Sequence, residues 1–208
     1  MSARPVVAGA KGGRAPRLVA CVVFVVVFLV VFLTLFPVSG AGIVRATAGP
    51  ALGGGGPAEI GDPHPALEVA TLDGGIVNDA RVAGRVVIVD FFATWCGPCH
   101  RALADLLAAR AATAPEALLV LVDQEESASV VRAWAARERL PPDALIALDP
   151  IGAAFRRWGA HKLPTTYLVD ATGVIRHINH GWGPGYRARL EKWLRGLASD
   201  GRVPPVDR

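Results

Sequence analysis

The sequence predicts an α/β domain on a mixed central sheet flanked by helices, preceded by one N-terminal transmembrane helix. Three observations carry this. Residues 18–36 form an uncharged apolar run. Beyond them, short apolar runs of strand length alternate with longer helical stretches. Late in the chain, two strand-like runs flank Ala171-Thr172-Gly173, a hairpin that makes the sheet mixed.

The elements follow in order. Residues 18–36 contain one hydroxyl, Thr34, and at 1.5 Å per residue span about 28 Å, enough to cross a hydrocarbon core. Arg4, Lys11, Arg14 and Arg17 precede this run and only Arg45 follows closely, which keeps residues 1–17 in the cytoplasm as a basic tail. The run is longer than the apolar core of a cleaved signal peptide, although Val38-Ser39-Gly40 and Ala46-Thr47-Ala48 resemble cleavage sites. Cys21 precedes most of the run instead of following it, so it reads as a small apolar residue. Residues 37–58, with Gly53-Gly54-Gly55-Gly56-Pro57, form a flexible tether. A domain is expected over 59–200 and a short tail over 201–208.

Within the domain, Leu67, Val69 and Thr71 alternate into the turn Asp73-Gly74-Gly75. Residues 86–92 read as a buried central strand interrupted only by Asp90. Trp95-Cys96-Gly97-Pro98-Cys99 leads into a helix ending near Thr113, and residues 117–122 form a second buried strand. Ser127 or Ser129 caps a helix to Arg139, which Pro141-Pro142 breaks. After a strand over 144–148, Asp149-Pro150 reads as a cap with proline at the first helical position, for a helix to about Trp158. Strands over 165–170 and 174–178 form the hairpin, and residues 186–197 the last helix.

Composition excludes several classes. The chain has 208 residues, 52% hydrophobic and 19% charged, which is too apolar for disorder. Three cysteines do not make a disulfide scaffold. The net charge of +4 arises before residue 59; from Glu59 onward 17 basic residues face 18 acidic ones, so the folded part carries no nucleic-acid footprint.

Cys96 and Cys99 sit between a buried strand and a helix. A thiol at a helix N-terminus is acidified by free N–H groups and the helix dipole. Cys99, one turn on, can close a disulfide with it. Gly97 and Pro98 permit and stiffen the turn. This is dithiol exchange chemistry.

The segment Val89-Asp90-Phe91-Phe92-Ala93-Thr94-Trp95-Cys96-Gly97-Pro98-Cys99 resembles the thioredoxin active-site motif. Lys162-Leu163-Pro164-Thr165-Thr166-Tyr167-Leu168-Val169-Asp170 resembles that family's cis-proline loop. The Asp73-Gly74-Gly75 lead-in, the extra strand and helix before Asp149, and the anchor make the chain similar to the membrane-tethered TlpA/ResA-like branch. The resemblance covers about residues 60–197 and implies a thioredoxin-like fold and a thiol–disulfide oxidoreductase. It implies Cys96 as attacking thiolate, Cys99 as resolving thiol and Cys96–Cys99 as the redox-active disulfide. Trp95 would pack beside the pair. Pro164 would be cis, setting the Leu163 backbone against the disulfide to pair with a substrate. Asp90 matches the buried acid that takes the Cys99 proton; many members of the branch carry an amide there, and a structural acid is the plainer alternative. The branch often has an acidic residue near the thiols, for which Glu125 and Glu126 are candidates alongside a solvated loop pair. His161 is a candidate groove residue or an exposed loop histidine. His177, His180 and Trp182 read as strand-end and loop residues, and the histidines lack metal-ligand spacing, so neither metal nor cofactor is expected.

The resemblance further implies a single-pass protein of the cytoplasmic membrane with its domain on the periplasmic or extracellular side. Substrates would be exported proteins with thiols or disulfides, for example apocytochrome c during maturation, with copper-site assembly second. A transmembrane thiol-electron donor of the CcdA/DsbD type would be the partner. Gly97-Pro98 is the dipeptide of reducing thioredoxins, whereas a charged His100 would favour the thiolate and a higher potential. A disulfide-forming oxidant or isomerase is the alternative with the same site. Other classes are a c-type haem carrier through Cys96-Gly97-Pro98-Cys99-His100, a peroxidase with Thr94 two residues before Cys96, and a redox-inactive binding module. Met1 is the only methionine, which excludes a Met haem ligand, and no proline-rich loop precedes Thr94.

Overall fold

A computed structural model describes residues 57–199. The tail expected over 1–17, the membrane span over 18–36, all but the end of the tether over 37–58, and the tail over 201–208 lie outside the described residues. Among the described residues, no helix is long and apolar enough to cross a membrane.

The described residues form β1 (Val69–Thr71), β2 (Ile76–Val77), α1 (Asp79–Val82), β3 (Val87–Phe92), α2 (Gly97–Thr113), β4 (Leu118–Gln124), α3 (Ala128–Ala135), β5 (Leu145–Asp149), α4 (Ala153–Arg157), β6 (Thr165–Val169), β7 (Ile175–His180) and α5 (Tyr186–Ser199). The strands make one sheet in the order β2-β1-β5-β4-β3-β6-β7. β3, β4 and β5 are parallel, and β6 runs antiparallel to β3 and β7 antiparallel to β6. This is the mixed sheet expected.

The central strand shows why its sequence is almost wholly apolar. Every residue of β3 is buried, because helices cover both faces. Side chains alternate between those faces. Val87, Val89 and Phe91 join a core with Trp158 and with Phe155 of α4. Ile88 and Phe92 join the opposite core, with Leu103 and Leu106 of α2, Trp134 of α3, and Leu190 and Leu194 of α5. Asp90 has the parity of Ile88 and Phe92. The two-residue strand period therefore aims its carboxyl at the face covered by α2, the helix that begins at the cysteines.

Two helices depart from their expected bounds. α3 ends at Ala135, not Arg139. Its buried residues are Val131 and Trp134, whereas Ala136, Arg137 and Arg139 beyond its end are exposed. Ser127 is its N-cap residue but makes no side-chain capping bond; its hydroxyl meets that of Ser129. α4 begins at Ala153, because Asp149 remains in β5, paired with Gln124, and Gly152 takes a left-handed turn at φ 65°. Asp149 still caps the helix from a distance: its carboxylate accepts the N–H groups of Ala153 and Phe155 at 2.7 and 2.9 Å.

Candidate active site

Cys96 is the N-cap residue of α2, with Gly97 and Pro98 opening the helix. Cys96 and Cys99 are joined in a disulfide with Cα atoms 5.2 Å apart. Cys96 Sγ accepts the Cys99 N–H at 3.3 Å, the bond that a thiolate at this position would receive. The residues are only 4% and 3% exposed. Gly97 and Pro98 are exposed above them. A side chain at Gly97 would meet nothing within 4 Å, so the turn itself does not require glycine there. Trp95, expected to pack beside the pair, is 73% exposed.

Asp90 is 1% exposed. It lines a narrow crevice beneath the disulfide with Cys99, Phe92, Leu103 and Trp134. β3 pairs with β6 in a register that sets Asp90 opposite Thr166. The Thr166 hydroxyl donates to Asp90 Oδ1 at 2.6 Å, and having given its one proton it accepts from the Tyr186 hydroxyl at 2.8 Å. Asp90 Oδ2 has no hydrogen-bond partner. Burial pushes the Asp90 carboxyl up to about 7, against the smaller opposing effect of the Thr166 bond. Burial also pushes the Tyr186 hydroxyl upward, so it remains a donor. Thr166 lies in the cis-proline motif without being singled out there, and Tyr186 belongs to no motif; the strand register brings Thr166 to Asp90, and Thr166 brings Tyr186.

The Leu163–Pro164 peptide is cis. Pro164 is buried and Leu163 half-buried. The Pro164 carbonyl accepts the Gly181 N–H at 2.7 Å, which ties this loop to the end of β7. His161 is exposed and its ring lies 4.5 Å from that of His180, the last residue of β7. His180 is therefore a neighbour of the loop as well as a strand end. Burial, then His161 and Lys162, hold the His180 imidazole below its ordinary value.

Glu125 and Glu126 separate. Glu125 takes a left-handed backbone at φ 64°, and its carboxylate lies 4.0 Å from Arg156. Glu126 turns to the segment before the cysteines, accepting the Thr94 N–H at 2.5 Å and its hydroxyl at 2.7 Å. Beside it, Asp123 is wholly buried and accepts the Glu126 N–H at 3.2 Å. Burial, reinforced by Glu126, pushes the Asp123 carboxyl up to about 8. Burial alone would raise Glu126 too, but bonds from Thr94 and Asp123 outweigh it and hold Glu126 below the ordinary range.

The geometry bears on the rival readings. Haem attachment at the Cys-x-x-Cys-His pentad needs two free thiols and a free imidazole. Here the sulfurs are bonded to each other and buried, and His100 Nε2 donates to the Thr94 carbonyl at 2.9 Å. The Thr94 hydroxyl, which a peroxidase would direct at the reactive thiol, is given to Glu126. Among the described residues, no group of three or more His, Cys, Asp or Glu is arranged to hold a metal.

Comparison with known proteins agrees with this site. The family model described as "AhpC/TSA family" matches residues 60–178. The thioredoxin-like protein YneN of Bacillus subtilis is 31% identical over 124 residues, 58% of this chain and 71% of YneN. The thiol–disulfide oxidoreductase ResA of Bacillus thuringiensis is 26% identical over 139 residues, 66% of this chain and 78% of ResA. The crystal structure of a DsbE-type thiol:disulfide interchange protein from Chlorobium tepidum superposes with a TM-score of 0.60 at 26% identity, covering 67% of this chain and 98% of that one. The chain thus belongs to the AhpC/TSA family and, within it, to the TlpA/ResA-like thiol–disulfide oxidoreductases of thioredoxin fold.

Proposed function

We propose that this protein is a membrane-tethered reductase of disulfides in exported proteins, working outside the cytoplasm through Cys96 and Cys99. The observation that carries the reading is the shared crevice of Asp90 and Cys99 under a cysteine pair at a helix N-terminus. The reduced form begins a cycle with Cys96 as thiolate. Its sulfur attacks one sulfur of a substrate disulfide and expels the other as thiolate, leaving a mixed disulfide. Cys99 must then lose a proton to attack Cys96. Asp90, held at about 7, is matched to accept it, and its unbonded Oδ2 is available to do so. The Cys99 thiolate attacks Cys96 Sγ, the second substrate thiolate leaves, and the Cys96–Cys99 disulfide remains. Two electrons have passed to the substrate.

The substrate would lie along Leu163–Pro164, with Trp95 exposed beside the cysteines as an apolar contact. His161 stands at the same rim. The span at 18–36 would hold the domain at the membrane, and the oxidising exterior requires electrons from within. A transmembrane thiol donor of the CcdA/DsbD type fits that need, and cysteines of apocytochrome c are the favoured substrates. The thioredoxin-type Gly97-Pro98 favours reduction over disulfide formation. Cys99→Ser should accumulate mixed disulfides with exported proteins, recovered as reductant-sensitive adducts on non-reducing gels. Cys96→Ser should abolish both adducts and turnover. Undiminished turnover by Cys99→Ser would refute the two-cysteine mechanism.

A further inference from the structure

The disulfide mechanism leaves one carboxyl pair, buried Asp123 and half-buried Glu126, without a task. Asp123 ends its run inside β4, and Glu126 lies in the turn that follows; the two meet beneath the Ala93–Cys96 segment. Glu126 takes both polar hydrogens that Thr94 offers, at 2.5 and 2.7 Å. On the other side of the same residue, His100 Nε2 donates to the Thr94 carbonyl at 2.9 Å. The Cys96 N–H closes back onto the Ala93 carbonyl at 3.1 Å. Thr94 is therefore held at its N–H, hydroxyl and carbonyl, two residues before Cys96. No bond of comparable kind holds Trp95, which is largely exposed.

We propose that Asp123 and Glu126 act as a positioning pair that shares one proton, so that Glu126 grips Thr94 and fixes how the Cys96 sulfur is presented at the helix N-terminus. Two facing carboxyl groups can bond only if one keeps its proton. Burial assigns that proton to Asp123, whose buried Oδ1 has no other hydrogen-bond partner; held there, it serves Glu126 and leaves the Glu126 charge to be satisfied by Thr94. Asp149, from the end of β5, is the other carboxylate that bears on Asp123 and favours the same assignment. Glu125 points away to Arg156, and His100 meets Thr94 with Glu138 3.8 Å behind it. As pH rises through about 8 the shared proton is lost, like charges face each other, and the grip on Thr94 weakens.

The inference rests on Cys96–Cys99 as the working couple. The test is the equilibrium constant of the full-length protein with reduced and oxidised glutathione, at pH 7 and pH 9, for wild type, Glu126→Ala, Glu126→Gln and Asp123→Asn. The grip is seen in the disulfide form, and the Glu126 charge disfavours a nearby thiolate. Both effects make Glu126→Ala shift the equilibrium toward the dithiol at pH 7, by about fivefold or more. Glu126→Gln retains an acceptor for Thr94 and should recover part of that shift. Asp123→Asn donates at every pH, so it should match wild type at pH 7 and differ at pH 9, where only wild type has lost the shared proton. A Glu126→Ala constant equal to wild type would overturn the proposal. If that variant does not fold, an Asp123→Asn profile parallel to wild type overturns it equally. A wild type with no reversible couple would end the functional reading itself, whereas a reversible couple indifferent to these substitutions ends this inference alone.

Discussion

Replacing Asp90 by Asn separates the cost of a buried charge from the work that charge does. Burial raises the carboxyl to about 7 in the fold, from its ordinary value of 3.8. The folded state therefore binds more protons than the unfolded state between these values, and its stability falls as pH rises through the window. The contribution is intact below about pH 4. By the linkage relation, about 2 kcal/mol is lost at pH 5 and about 4 kcal/mol at pH 8. Asn keeps an oxygen for the Thr166 hydroxyl but places an amide where Oδ2 has no partner, a cost of about 1–3 kcal/mol at every pH. That fixed cost cancels between two pH values. The stability of Asp90→Asn relative to wild type should rise by about 2–3 kcal/mol from pH 5 to pH 8. The assay is urea unfolding of the oxidised protein, in which neither Cys96 nor Cys99 titrates. An offset equal at both pH values would refute the assignment of a high titration to Asp90. The same substitution should slow the resolving step near neutral pH while leaving the first attack by Cys96 little changed.

Further outcomes follow from neighbouring residues. Thr166→Val removes the bond that stabilises the ionised Asp90, so the pH dependence of resolution should move up by about one pH unit, measured by stopped-flow release of substrate thiol. Leu106→Ala, in the wholly buried centre of the α2 face, should cost about 2–5 kcal/mol in urea unfolding and leave the redox equilibrium unchanged.

Much of this arrangement is local and so was legible in the chain. β3 announces itself as an apolar run because both its faces are covered, and Asp90 stands out for the same reason. The cysteine pair and Pro164 belong to short motifs. What escaped depends on contacts between distant segments. Asp149-Pro150 has the form of a helix start, but pairing with Gln124 keeps Asp149 in the sheet and postpones α4 to Ala153. Adjacent Glu125 and Glu126 are indistinguishable by composition. The left-handed turn at Glu125 decides that one meets Arg156 and the other Thr94, 32 residues away in sequence. Thr166 reaches Asp90 only through the antiparallel register of β3 and β6. The core beneath the cysteines is filled by Phe92, Leu103 and Trp134, and the Trp95 ring is largely exposed.

The most direct test of the account is the reduction potential of the Cys96–Cys99 couple in the full-length protein, equilibrated in dithiothreitol or glutathione buffers and read by thiol labelling. A reductase supplied from the membrane should have a potential near or below about −250 mV. A value near about −150 mV or higher would contradict that direction and assign the same site to disulfide formation or isomerisation.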